Sequence, residues 1–448
     1  MHKIFKTLFC VIFTLLIIVP LVSMPFFEEN NAEKRELADK PQLLTDEGKL
    51  NSQFFSDTDS YLSDHFGFRS AFVNALSRIK DSVFKTSAEN EVIIGKDNWL
   101  FFEKTLNDYM RKETLADQDM ERIEKTIELI NEYVTSRNAK FLFFIAPNKN
   151  SVYPDYMPYY YKKGVNASNL DKLNEIMQNK DYYINLLPLL KNQDKQIYHS
   201  LDSHWNNLGA AICFDEVMKK LGRDYTDYLS CGYDIKASHQ GDLYTMLYPT
   251  GDKLDSQVIF KHTPSFKFTS RYKSEEDLTI KTQNSNKTGS LTMYRDSFCN
   301  ALLPLLADEF GNAEFSRIFP YRMNLANTNQ SDTVIIELVE RNIKNLLYSA
   351  PVMEAPERFG LSLEEADGEI LGTKKSGDLL QVYGVTEISD QAVYLSVTAK
   401  DGEKIYEAFP IYESKLIDGE EDIKSGGFSA FIPFSDVSEI DIKICKIK

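Results

Sequence analysis

The longest apolar run in the chain comes first: TLFCVIFTLLIIVPLVSMPFF, from Thr7 to Phe27, with no charge inside it. About 20 such residues suffice to cross a bilayer as a helix. Lys3 and Lys6 precede the run and Glu28 and Glu29 follow it. That polarity predicts an N-inside, C-outside orientation, with the bulk of the chain exported. A cleaved signal peptide is the competing reading, but no small-x-small site stands clear around Ser23. The expectation is therefore a membrane signal anchor over residues 1–28. The charged segment EENNAEKRELADKPQL then reads as a tether, and FFSDTDSYLSDHFGFRSAFVNALSRIKDSVF as helical, so that 29–89 forms a lead-in.

Beyond it the period of the pattern changes. EVIIGKDNWLFF has the turn residues of a hairpin. In DQDMERIEKTIELINEYVTSRNAK, the positions Met120, Ile123, Ile127, Ile130 and Val134 keep helical spacing. KFLFFIAP follows at once, a short continuous apolar run of the kind a strand buried on both faces shows. NNLGAAICFDEVMKKLG predicts a helix capped by Asn206 and stopped at Gly222. SLTMY reads as a strand running into RDSFCNALLPLLADEF, a helix that Pro304 is expected to kink. DTVIIELVE is a further buried strand. Residues 90–350 thus read as one α/β domain with a mainly parallel sheet. From 355 to 448 the runs DLLQVYGV, AVYLSVTA, YEAFPIYES, GFSAFIPF and IDIKICKI alternate and are parted by Gly, Asp and Ser. They predict a C-terminal β-sandwich.

Composition narrows the chemistry. With 51 basic and 67 acidic residues the net charge is −16, which argues against a nucleic-acid backbone as partner. Cys213, Cys231, Cys299 and Cys445 make no CxxC or zinc spacing, and the six histidines form no HExxH. No metal or cofactor is expected. Cys213 and Cys231 either pair or stay reduced, and isolated buried thiols are the preferred reading.

In YHSLDSHWNNLGA, Asp202 and His204 stand two apart, so extended backbone would aim both into one pocket. There the carboxylate would fix the imidazole tautomer. Alone, such a pair more often closes a turn. Ser297 in LTMYRDSFCNALL supplies a matching nucleophile at a strand–helix junction. Ser297 or Asp296 alone would also serve as a helix cap. Together the three residues point to acyl transfer through a covalent intermediate.

DSHWNNLGA followed by YRDSF resembles the alginate O-acetyltransferase family of AlgX/AlgJ-like DHHW proteins. EKRELADKP, YLSDHFGFR, VIIGKDNWLFF, FIAPNKNSVYPDYMP and VIIELVERN resemble it too, in the same order. The likeness spans roughly residues 30–348. It implies an SGNH-hydrolase-like, flavodoxin-like three-layer core. It also implies Ser297 as the acetyl-carrying nucleophile, His204 as base and Asp202 as its orienting residue, in the family's permuted order. Arg295, where relatives often have a small residue, either crowds the turn or holds an anionic substrate. Asn148 and Lys149 either face the site or belong to a capped turn with a solvated lysine. Tyr294, Tyr321 and Arg322 either line a polysaccharide groove or belong to a tyrosine-rich surface. Glu337 and Glu340 near a strand end read as solvated, with contact of one of them to the site as the alternative. The resemblance implies O-acetylation of a surface or secreted polysaccharide, with a multipass membrane acyltransferase as acetyl donor. An acetylesterase with the same residues and a non-catalytic glycan-binding protein are the alternatives.

Overall fold

The computed structural model describes residues 2–24, 37–45, 48–84, 86–388, 392–399, 402–412, 426–434 and 441–448. Glu28, Glu29 and most of the expected tether lie outside the described residues, as do Glu413, Ser414 and Ile440 of the C-terminal runs. His2–Ser23 is one helix, and its segment Ile4–Ser23 is long and apolar enough to cross a membrane. The helical lead-in breaks at Phe66-Gly67-Phe68 into Phe54–His65 and Arg69–Ile79, with Phe68 in the left-handed region. Gly67 is required there, because its amide donates to Pro20 O and a Cβ would meet Ser23 Oγ at 1.8 Å.

The predicted hairpin pairs Val92–Ile94 with Leu100–Phe102, turning through Asp97 and Asn98 at positive φ. A seven-stranded sheet follows. Its spatial order is Tyr183–Ile184, Lys140–Ala146, Thr333–Val339, Ser290–Tyr294, Asn312–Ser316, Thr279–Gln283, Lys267–Phe268. The first five strands run parallel and the last two join through antiparallel pairings, so the sheet is mainly parallel.

Side-chain alternation explains why KFLFFIA had to be apolar throughout. Leu142, Phe144 and Ala146 enter one core beneath helices Asn207–Leu221 and Cys299–Glu309. Phe141, Phe143 and Ile145 enter a second core beneath helices Asp117–Thr135 and Asn169–Met177. Both faces are covered, which gives three layers. The helix Cys299–Glu309 runs as one element through Pro304. Asn206 caps its helix by accepting from the Leu208 and Gly209 amides, and Gly222 ends it at φ 64°.

Two four-stranded antiparallel sheets follow. One contains Leu363–Glu365, Ile442–Ile447, Tyr394–Ala399 and Gly402–Glu407; the other contains Gly368–Ser376, Leu379–Thr386, Gly427–Pro433 and Phe409–Ile411. Val382, Ala430 and Ile432 of one meet Leu395, Val397 and Ile444 of the other in a shared core, as in a sandwich. Phe409, Ile411 and Phe431 extend into the second α/β core, and Arg358 ties Glu132 to the buried Glu407.

All five cysteines are free. Cys213, Cys299 and Cys445 are buried, but Cys231 is exposed, against the expectation of uniformly buried thiols.

Candidate active site

Ser297 lies three residues past the end of Ser290–Tyr294, at the carboxyl edge of the parallel strands where such sheets bind ligands. Asp296 takes the capping duty: its Oδ1 accepts from the Phe298 amide at 2.9 Å and its Oδ2 from the Val339 amide at 2.6 Å. Ser297 Oγ is thereby free to lie 2.8 Å from His204 Nε2. On the far side of the ring, His204 Nδ1 is 2.7 Å from Asp202 Oδ1. Three residues brought from two segments form one hydrogen-bonded chain.

The local conformation of Asp202 and His204 differs from the extended segment expected. Asp202 Oδ1 also accepts from the His204 amide at 2.9 Å, so the carboxylate closes a tight turn and grips the imidazole at once. The Tyr198–Trp205 bridge fixes the ends of this turn. Trp205 packs behind it, donating Nε1–H to Phe298 O at 2.8 Å.

Burial alone would push the His204 imidazole down, but the charge and hydrogen bond of Asp202, with Asp242 beyond, outweigh it and hold it above its usual value. Burial alone would raise the Asp202 carboxyl; His204 and His239 together keep it well below the ordinary carboxylate range. The side chain of His204 remains 23% exposed, so the Ser297–His204 end of the chain is open to solvent and substrate.

Two participants escaped the sequence reading. His239, at the end of strand Tyr233–His239, places Nε2 2.9 Å from Asp202 Oδ2 and stacks at 3.8 Å on His199. Asp242 accepts from Ser203 Oγ at 2.6 Å and stands 3.5 Å from His204 Nδ1. The exposed face of Tyr233–His239 conceals it from any apolar pattern, so the HQGD sequence gave no strand or site signal. Ligand atoms of Asp202, His204 and Asp242 lie within 4.8 Å of one another. A metal would have to displace the Asp202–His204 and Asp242–Ser203 hydrogen bonds, and the arrangement fits a proton-transfer chain better than a cation.

The other anticipated residues occupy different roles. Lys149 is not solvated: it is 3% exposed, and its Nζ donates to Leu100 O at 2.6 Å and to Ser200 O and Asp202 O at 2.9 Å. Burial lowers its pKa to about 7, and the ammonium ties the hairpin to the backbone of the Asp202 turn. Asn148 is buried, with its amide on Glu340 Oε2 at 2.8 Å. Arg295 is buried. It donates to Asn300 Oδ1 at 2.8 Å and to the carbonyl of Glu275 at 2.6 Å, pinning the loop before Thr279. Tyr294 and Tyr321 are core residues whose rings meet at 5.4 Å, and the Tyr294 hydroxyl donates to Arg322 O. Arg322 alone of that trio is exposed.

Glu337 and Glu340 are likewise buried, not solvated. Glu337 Oε2 accepts from the Asp296 amide at 2.9 Å, directly beneath the Ser297 turn. Burial, reinforced by the Asp296 charge, pushes its carboxyl well above the ordinary range. Glu340 accepts from Asn148 N and from Ser151 Oγ at 2.9 Å, and burial raises it to about 7.

Residues 92–278 match the family described as the SGNH hydrolase-like domain of acetyltransferase AlgX. That segment contains Asp202, His204 and His239 and ends before Ser297. No curated protein matches the chain. Among solved structures, Bacillus cereus PatB1 with a sulfonyl adduct is 16% identical with a TM-score of 0.45, covering 56% of this chain and 95% of its own. A DHHW family protein from Eubacterium siraeum is 16% identical with a TM-score of 0.43, covering 56% and 91%. Pseudomonas aeruginosa AlgX is 11% identical with a TM-score of 0.35, covering 85% and 94%. Residues 92–278 are thus similar to the AlgX family of SGNH hydrolase-like acetyltransferase domains.

Proposed function

We propose that this protein O-acetylates a cell-surface or secreted polysaccharide through an acetyl group carried on Ser297. One observation carries the reading: Ser297 Oγ, His204 Nε2, His204 Nδ1 and Asp202 Oδ1 form an unbroken hydrogen-bonded chain. His204 takes the Ser297 proton as Oγ attacks the donor's acetyl carbon, and returns it to the departing group. Asp202 holds the tautomer in which Nε2 is the base and stabilises the imidazolium that forms. In the second half, a sugar hydroxyl gives its proton to His204 and attacks the acetyl-serine, releasing Ser297.

In this reading residues 90–350 are the acetyl-transfer unit and 355–448 an accessory unit. The N-terminal helix anchors both to the membrane with the site on the extracytoplasmic side. Acetyl-CoA is not expected there, and the resemblance to the alginate O-acetyltransferase family implies a multipass membrane acyltransferase as acetyl donor. The reading predicts that the full chain in detergent, given an aryl acetate and an oligosaccharide, forms an acetylated sugar, and that Ser297→Ala forms none. Release of free acetate alone, unchanged by any glycan, would favour the acetylesterase instead; transfer undiminished in Ser297→Ala would refute the assignment.

A further inference from the structure

Arg341 lies two residues past strand Thr333–Val339, which pairs in parallel with the strand leading to Ser297. The two side chains therefore leave the same edge of the sheet. The Arg341 guanidinium carbon is 5.9 Å from the Phe298 ring centre and 5.3 Å from that of Phe102. The His204 ring lies 4.8 Å from the same Phe298 ring. Guanidinium and imidazole thus flank the aromatic ring adjoining the nucleophile. Ring faces hold a cation in place but occupy none of the five N–H donors of an arginine. Among the described residues, none accepts a hydrogen bond from Arg341. Burial lowers its pKa, and the charges of Asp296, Asp242, Glu337 and Asp108 at longer range oppose that shift; a guanidinium stays protonated in proteins.

The backbone beside Ser297 is meanwhile short of donors. Glu337 takes the Asp296 amide, Asp296 Oδ1 takes the Phe298 amide, and Ser297 O takes the Asn300 amide at 3.1 Å. A helix start ordinarily offers several free amides to an anion. Here capping has withdrawn most of them. The Ser297 amide itself donates to none of the described residues.

We infer that Arg341 is a catalytic residue that, with the Ser297 amide, hydrogen-bonds the acyl carbonyl oxygen as it becomes an oxyanion. The inference rests on the acetyl-transfer reading. When Oγ bonds to the carbonyl carbon, the π pair moves onto that oxygen and the serine proton moves to His204 Nε2. Arg341 N–H groups meet the new charge. As the oxyanion collapses, the C–O bond to the leaving alcohol breaks and His204 protonates it. Charged donors aimed at developing charge are worth more than neutral ones, because they are preorganised where charge appears.

The test uses the full chain in detergent with an aryl acetate, comparing Arg341→Met, Arg341→Ala and Ser297→Ala. Arg341→Met is expected to lower kcat by about 100-fold with KM little changed and an unaltered melting temperature. It should weaken a trifluoromethyl ketone, whose serine adduct carries an oxyanion, by a similar factor. Added guanidinium should restore part of the rate to Arg341→Ala. Loss of activity in Ser297→Ala with Arg341→Met retaining kcat within threefold would overturn the Arg341 assignment alone. Unchanged affinity for the ketone in Arg341→Met would overturn it equally. Full activity in Ser297→Ala would instead defeat the acetyl-serine reading beneath it.

Discussion

His239 hydrogen-bonds Asp202 through Oδ2, the carboxylate oxygen that His204 leaves free, at 2.9 Å. The Asp202 carboxylate is thus held between two imidazoles, with the Asp242 amide also donating to Oδ2 at 3.0 Å. A hydrogen bond to a charged group contributes about 1.5–3 kcal/mol. His239→Ala should therefore lower kcat/KM for an acetyl ester by about tenfold or more with the fold intact. His239→Gln, which can still donate to Oδ2, should recover part of it. Steady-state kinetics of both variants checks the assignment; equal activity in wild type and His239→Ala would remove His239 from the site.

In the proposed mechanism Asp202 sets the pH at which His204 works. A base must be unprotonated to accept the serine proton, so activity should rise with pH through the His204 pKa. Asp202 holds that pKa above the ordinary histidine value. Asp202→Asn removes the negative charge, so the acid limb should move to lower pH. Its plateau should fall by about 10³–10⁴-fold, because the ring loses its fixed tautomer. The pH–rate profile of the variant reads both effects.

Glu340 makes stability depend on pH in the same region of the fold. Burial raises its carboxyl from 4.5 to about 7, and that of the neighbouring Asp108 from 3.8 to about 6. Because the folded chain holds these protons more tightly than the unfolded one, their contribution is complete below the unfolded pKa values. It is lost as pH rises through about 7. For Glu340 alone the shift corresponds to about 3 kcal/mol. Denaturant midpoints should fall between pH 5 and pH 8 in the native chain. Glu340→Gln, which keeps an acceptor for the Asn148 amide, should flatten that fall.

The elements legible in the sequence are those whose burial writes a pattern. Lys140–Ala146 and Thr333–Val339 are covered on both faces and read as continuous apolar runs. Asn206 and Gly222 bound a helix through capping chemistry visible in their identities. Strand Gly368–Ser376 buries none of its residues, so it carries no such signal, and the exposed strand Tyr233–His239 is silent for the same reason. At the candidate site, Asp202 and His204 are legible as an acid–imidazole pair two apart, and Ser297 as a hydroxyl at a strand–helix junction. Their environment is not. Lys149 reads as a surface lysine until its three carbonyl partners, drawn from residues 100, 200 and 202, come together around it. Glu337 alternates with apolar neighbours as a solvated strand end would, yet it faces the helix Cys299–Glu309 side and caps the Asp296 amide. Contacts between segments distant in the chain leave no local trace.

The central claim is that Ser297 carries the acetyl group between donor and sugar. Mixing the full chain with an aryl acetate, quenching rapidly in acid and mapping the peptides by mass spectrometry tests it most directly. The account predicts a single acetyl ester on Ser297 that disappears on adding the glycan acceptor and never forms in His204→Ala. Turnover with no acetyl at Ser297, or an adduct on another residue that passes to the glycan, would contradict it.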